Sequence, residues 1–544
     1  MTRKQSVVII GGGPAGLTAA WEFVKDGGAE NYDVTVLEAT REFGGISRTV
    51  RYHGNRMDIG GHRFFSKDTR IMDWWKDVLP LQGASSYDDR KLGREHDMEP
   101  GGPDPEVTDE VMLKRHRVSR IFYGGRFFDY PISLKPATFK AMGFTMTMQA
   151  GFSYLASMFH KLPEDNLENF YINRFGRKLY SMFFEGYTEK LWGRHPSRIS
   201  ADWGAQRVKG LSVLGVLKNA FAKLSPKKRS NSEVETSLIE EFWYPKYGPG
   251  QLWETVEKRC EAAGATVLTD ANVVEVRQRD GRISAVVYEN AAGERTELAA
   301  DQFISTMPIK DLVNAMDEAG APAADAATDA AEPAAHVVPA DMSRIANGLP
   351  YRDFVTVGLL VKRLRLKNTT TIPTLGNPPI VPDCWIYVQD PGFTVGRIQV
   401  FNNWSPYLVK DVDDTVWIGL EYFCDEGDSF WTMTEDECVK FAINEMVRMK
   451  VISSPADVLD THREKVKKAY PAYFDTYDQM DELVDYLDSF GNLYCVGRNG
   501  QHHYNNMDHS MATAIEAVAN IKTGRTSKKN VWSVNTEQSY HEEK

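Results

Sequence analysis

The first apolar run of the chain, Val7-Val8-Ile9-Ile10, has no polar member and predicts a strand buried on both faces, as in a parallel sheet covered by helices. Three glycines and a proline follow at 11–14, after which apolar residues through Ala20 predict a helix. A second run, Val34-Thr35-Val36-Leu37, predicts the next strand. Residues 83–110 are polar and rich in Gly, Pro and Asp without an apolar period, so a surface excursion with little function is expected. Aromatic runs on either side of Gly124-Gly125 predict a hairpin. From about 136 to 223 apolar residues recur at helical spacing, and Met142, Met146 and Met148 are expected to be core or helix-packing residues.

Strand patterns return after this helical stretch. Residues 265–268, 273–276 and 283–287 read as strands, the last two joined by the turn Arg279-Asp280-Gly281-Arg282, and 303–308 as a further one leaving through Pro308. Residues 318–341 are mostly Ala, Pro and Asp, a low-complexity stretch expected to form a mobile loop or irregular helix. Alternation over 353–361, 380–389, 396–401 and 416–423 predicts a largely antiparallel sheet, and 435–449 a helix. Residues 492–500 read as a strand entering a glycine turn, with a helix starting beyond it at Met507.

The strongest chemical signal is the opening strand, turn and helix. Gly11 permits a tight turn, Gly13 lets backbone approach a pyrophosphate, and Gly16 lets the helix pack close to the strand. The helix N-terminus offers unpaired N–H groups and a positive dipole end to an anion. Glu38 ends the second strand where an acid accepts hydrogen bonds from ribose hydroxyls. Strand, glycines, helix, strand and acid in this order point to a dinucleotide.

Composition narrows the partners. The 544 residues suffice for two or three domains, and a formal charge of −11 argues against a nucleic-acid surface. Five scattered cysteines without CxxC spacing indicate neither a zinc site nor a disulfide framework, and no metal is expected. The six residues before the first strand leave no room for a signal peptide, and no stretch approaches a membrane span, so a cytoplasmic location is expected.

Directly after Glu38 comes Arg41-Glu42-Phe43-Gly44-Gly45. The order of GxGxxG, acid, basic residue and second Gly-Gly pair resembles the FAD-binding segment of flavoproteins that include amine oxidases, protoporphyrinogen oxidase, phytoene desaturases and UDP-galactopyranose mutase. The resemblance implies non-covalent FAD, held by Gly11, Gly13, Pro14, Ala15, Gly16, Glu38, Gly44 and Gly45, with Val274 near the adenine. Gly60-Gly61-His62 resembles the loop that lies against the flavin in UDP-galactopyranose mutases, although a histidine there can equally satisfy a backbone carbonyl. Gly497-Arg498, followed by Tyr504, Asn506 and Met507, is similar to the mutase flavin turn and helix.

One motif narrows the family. Gly186-Tyr187-Thr188-Glu189-Lys190, one residue, then Trp192-Gly193-Arg194 resembles the mutase substrate-domain signature, which implies that Tyr187 and Trp192 face the uridine and sugar. Core packing is the alternative for such an aromatic helix. Trp385-Ile386-Tyr387 and the segment around Arg397 resemble the stretch that supplies a tyrosine and an arginine to the diphosphate, and an arginine fork suits that role. There are departures: Asn506 and His502 stand where the mutases usually have aspartate and tyrosine, and Arg207 matches the second diphosphate arginine only with a one-residue shift.

The fold implied is α/β: a Rossmann-like FAD-binding domain with an inserted helical domain and a largely antiparallel β-sheet substrate domain. Residues 1–82, 241–315 and 481–525 would form the FAD-binding domain, and 83–130 the excursion and hairpin. The helical insertion would be 131–240, the low-complexity loop 316–345, the antiparallel domain 346–480 and the tail 526–544. The activity implied is interconversion of the pyranose and furanose forms of a nucleoside-diphosphate sugar through reduced flavin, with NADPH or NADH as candidate reductant and an oligomer left open. The alternative is an FAD-dependent oxidoreductase of the amine oxidase, protoporphyrinogen oxidase or desaturase type. A carboxylate pair or triad is not required, since such chemistry is the cofactor's.

Overall fold

Strand Gln5–Ile10 stands at the centre of a five-stranded parallel sheet in the order Leu493–Cys495, Gln302–Ser305, Gln5–Ile10, Tyr32–Leu37, Thr266–Leu268. The computed structural model describes residues 3–130, 132, 136–201, 241–318 and 338–534. Val7 and Ile9 join one core with helices Pro14–Val24, Pro249–Ala262 and Met507–Thr523, whereas Val8 and Ile10 join another with helices Ile309–Glu318 and Met480–Asp488. Burial on both faces is why the run has no polar side. Gly11 takes a φ of 101°, and a Cβ on Gly16 would stand 1.9 Å from the Gly11 carbonyl oxygen, so turn and helix close on each other only as glycines.

The antiparallel pattern forms a seven-stranded sheet in the order Val458–Pro471, Tyr351–Val361, Val416–Cys424, Arg397–Val400, Trp385–Val388, Ser119–Tyr123, Arg126–Asp129. Trp385–Val388 and Ser119–Tyr123 make its one parallel pairing, by which the Gly124-Gly125 hairpin joins the sheet. Helix Glu435–Arg448 covers one face through Cys438, Ala442 and Met446. Strand Val458–Pro471 escapes a reading by alternation because charged residues occupy most of its outer half, as suits a sheet edge.

The insertion contains helices Pro136–Phe159 and Leu167–Tyr180, a π-helical turn Ser181–Glu185, and helix Gly186–Trp192, which ends at Gly193 with φ 63°. At Gly176 a Cβ would meet the Tyr154 backbone nitrogen at 2.7 Å, so glycine permits the first two helices to cross closely. The methionine expectation needs correcting: Met142 is buried, but Met146 and Met148 are exposed by 38% and 42%. Residues 83–110 are also more than a surface excursion. They include helix Tyr87–Leu92, whose buried Asp88 pairs with buried Arg115 at 2.7 Å, an ionic core that polar composition conceals. Most of the low-complexity stretch and the basic run 223–229 lie outside the described residues.

Gly16→Ala is expected to destabilise the fold by about 3 kcal/mol, the upper end for overpacking, because the obstructing atom is backbone. Urea denaturation of the two proteins measures it.

Candidate functional site

Two cavities adjoin the parallel sheet's glycine turns. The first, of about 630 Å³, is lined by Gly11, Glu38, Val274 and one side of helix Ile309–Glu318. One carboxylate oxygen of Glu38 accepts the Gly12 N–H at 2.7 Å, and the other accepts the N–H and hydroxyl of Thr40 at 2.9 and 2.8 Å. The acid thereby ties the glycine turn to the end of the second strand. Val274 reaches the cavity from a β-bulge between Val273 and Glu275.

The second glycine pair lies on the first turn. Gly44 donates its N–H to the Gly12 carbonyl at 2.9 Å, and among the described residues beyond its chain neighbours and its own helix only Gly45 comes within 4 Å of where a Gly13 Cβ would stand. Pro14 opens the helix, a position with no hydrogen bond to lose. A Cβ on Gly497, whose φ is 78°, would come within 2.9 Å of the Ala15 Cβ, so the C-terminal turn is pressed against the start of the first helix.

The second cavity, of about 330 Å³, brings together Gly61, His62, Tyr187, Tyr387, Arg397, Arg498, Tyr504, Asn506 and Met507. Gly61 is needed because a Cβ there would stand 1.6 Å from the Trp385 ring. His62 Nε2 lies 2.9 and 3.0 Å from the carbonyls of Ile59 and Ile46. A carbonyl can only accept, so the proton sits on Nε2 and Nδ1 keeps its lone pair. Burial pulls this histidine's pKa down to about 4, against its hydrogen bond to Ile59, and the ring is neutral at neutral pH. It therefore satisfies backbone carbonyls and lines the cavity at once. Asn506 caps helix Met507–Thr523, whose first residues also face the cavity.

Arg397 is buried among aromatic rings. Its Nε donates to the Tyr187 hydroxyl at 2.5 Å, and one terminal nitrogen donates to Glu421 at 3.1 Å and to the Tyr470 hydroxyl at 2.9 Å. Burial works against its charge, but Tyr187, Tyr470 and Glu421 more than restore it. The other terminal nitrogen has no hydrogen bond among the described residues. Three further arginines line the space: Arg63, Arg117 and Arg498. Arg498 donates to the carbonyls of Asn505 and Ala469. Arg63 has neither a hydrogen bond nor an ion pair among the described residues, and burial, with Arg117 beside it, lowers its pKa to about 10, so it stays charged. Against these four cations the cavity wall has the single carboxylate Asp508, with Glu421 behind Arg397.

Trp192 does not line this cavity. It is 2% exposed, and its ring meets Phe474 in the core beneath the insertion. The residue that shares the cavity with Tyr187 is Leu191, one helical turn on, while Trp192 lies about 140° round the helix from Tyr187. Within the same motif Lys190 donates to the carbonyls of Val388 and Asp390, pinning the helix to the sheet. Arg207 lies outside the described residues. Sequence reasoning missed Arg63, Arg117, Asp508, Tyr470 and Glu421. Arg63 had a signal in following His62 in the same loop, whereas Tyr470 and Glu421 reach Arg397 only through strand pairing.

A sequence model of the NAD(P)-binding Rossmann-like domain matches residues 9–78. A reduced UDP-galactopyranose mutase superposes on the chain with a TM-score of 0.72 at 19% identity, over 98% of this chain and 99% of that one. The two share one fold. A protein from Exiguobacterium sp. 255-15 assigned as a protoporphyrinogen oxidase follows with a TM-score of 0.62 at 14% identity, over 96% of this chain and 100% of that one. A putrescine oxidase triple mutant gives 0.54 at 14% identity, over 96% and 99%. Sequence comparison with curated proteins finds no match. The flavoprotein resemblance read from the glycine motifs thus holds at the level of fold, including the inserted helices and the antiparallel sheet.

Trp192→Ala is expected to cost about 3–5 kcal/mol of stability, the range for emptying a buried aromatic site, as read by urea denaturation. His502 is fully buried with Nε2 3.0 Å from the Ala472 carbonyl, and burial holds its pKa at about 4 rather than 6.5. Its unfolded form binds the proton first, so stability present above pH 6.5 is lost as pH falls towards 4. His502→Gln, which retains an N–H donor but does not titrate, should show a smaller loss of urea midpoint between those pH values.

Proposed function

We propose that the protein is an FAD-dependent enzyme that interconverts the pyranose and furanose forms of a nucleoside-diphosphate sugar. The first cavity fits the adenosine end of FAD. Glu38 keeps acceptor capacity for ribose hydroxyls beyond its three protein hydrogen bonds, and among the described residues the space above Gly13 is bordered by Gly45 backbone, which leaves room for a pyrophosphate. Gly11, Pro14, Ala15, Gly16, Gly44 and Val274 would complete that cradle. Gly61, His62, Gly497, Arg498, Asn506 and Met507 would hold the flavin end, where the start of helix Met507–Thr523 favours negative charge. What bound, reduced FAD supplies is nucleophilic displacement at the anomeric carbon of the sugar.

The observation that carries the substrate class is the excess of guanidinium over carboxylate in an aromatic cavity. Arg63, Arg397 and Arg498 against Asp508 and Glu421 make a site for a polyanion, and Arg63 and the open nitrogen of Arg397 can give charge-assisted hydrogen bonds to a diphosphate. Tyr187, Tyr387 and Trp385 supply flat faces for a base or sugar ring, while Tyr504 stacks with Tyr470 beneath them. His62 Nδ1, neutral and unprotonated, can accept a hydrogen bond from a sugar hydroxyl. A protonated amine would meet like charge here, which disfavours an amine oxidase. NADPH or NADH as reductant belongs to the same proposal.

The direct test is product chromatography: dithionite-reduced protein should convert a UDP-hexopyranose to the furanose and oxidised protein should not. No conversion of any UDP-hexose, with turnover of amines instead, would overturn the reading. Gly13→Val should be purified without flavin, because its side chain would enter the pyrophosphate space. Arg63→Ala should weaken UDP binding by about 1.5–3 kcal/mol in a flavin-fluorescence titration while leaving the melting temperature unchanged, since it gives up no bond within the described protein. Arg397→Ala alone would strand the buried Glu421, so its contribution to binding is read in Arg397→Ala with Glu421→Gln.

A further inference from the structure

Helix Pro136–Phe159 is built inside out. Beyond its break at Gly143, Phe144, Met148, Phe152, Leu155 and Phe159 fall within about 80° of one another round the helix. All five are exposed, by 82%, 42%, 66%, 50% and 79%. Its inward side between them is Ala150 and Ser157, both buried. Eight of the twelve exposed large hydrophobic side chains of the described protein lie on this one helix. A helix stabilised only by packing on its own domain would turn the phenyl rings inward, so the outward stripe calls for an apolar surface beyond the chain.

We propose that this stripe seats the protein on the surface of an anionic phospholipid bilayer. Lys140 is the only charged residue between Pro136 and Phe159, so nothing acidic on the helix resists entry into the headgroup layer. Residues 136–201, the described part of the insertion, carry 8 Lys and Arg against 5 Asp and Glu, a positive segment in a chain whose formal charge is −11. Two weak signals, an apolar stripe and basic charge, together make a stable surface anchor. The same charge argues against a second copy as the occupant, because pairing two such segments would bring like net charge towards like. The helix lies on the bilayer and does not cross it: no described helix is long and apolar enough to span a membrane.

The test is flotation of the flavin-loaded full chain with phosphatidylcholine vesicles and with vesicles containing about a quarter phosphatidylglycerol. The protein is expected to float with the anionic vesicles, less so in high salt, and to stay behind with the neutral ones. Phe144→Ser with Phe152→Ser should retain the melting temperature, since both rings are exposed, and lower partitioning by at least about tenfold. Failure of the wild type to float with anionic vesicles, or equal flotation of the double variant, would overturn the proposal. A dimer in vesicle-free buffer, seen by light scattering and dissolved by the double variant, would overturn it too by assigning the stripe to a second copy.

Discussion

The guanidinium of Arg397 is the point on which the site depends. It stands on strand Arg397–Val400 directly across from Glu421 in the strand register, and it reaches Tyr187 on the inserted helix and Tyr470 on the edge strand. A charge taken out of water must be paired and hydrogen-bonded or it is expelled. Glu421, itself fully buried, meets that demand, and burial raises its pKa against the pull of Arg397. The pair therefore holds sheet, insertion and edge strand in one arrangement. Glu421 takes only part of the fork, and one nitrogen has no hydrogen bond among the described residues.

Close approach of backbone does for the nucleotide domain what that ion pair does for the second cavity. Gly16 on Gly11, Gly45 above Gly13 and Gly497 against Ala15 bring three distant turns together at the start of one helix. Each is a place where a single Cβ would intrude on backbone, on the Ala15 side chain or on the space above the turn. The two cavities flank this junction, with Gly11 and Glu38 on one side and His62 and Met507 on the other. The arrangement suits one extended ligand better than two unrelated ones.

The sequence by itself determined the parallel sheet, its glycine turn and acid, the helical insertion and the antiparallel sheet, because each follows from a local period or from a short motif with its own steric reason. Gly11 and Gly16 do in the structure what their spacing implies, and Glu38 ends the second strand with its carboxylate on the Gly12 N–H. Tertiary structure decided which side chains face the cavity. Tyr187 enters and Trp192 does not, since five residues along a helix is not one face, and Arg63 became a site residue only when the His62 loop folded over the sheet. Glu421 and Tyr470 read as ordinary strand residues until register set them against Arg397. Helical periodicity likewise marked residues 136–223 as helical, but it is blind to which way an apolar stripe points. That direction depends on the neighbours a helix meets, and those come from packing over long range.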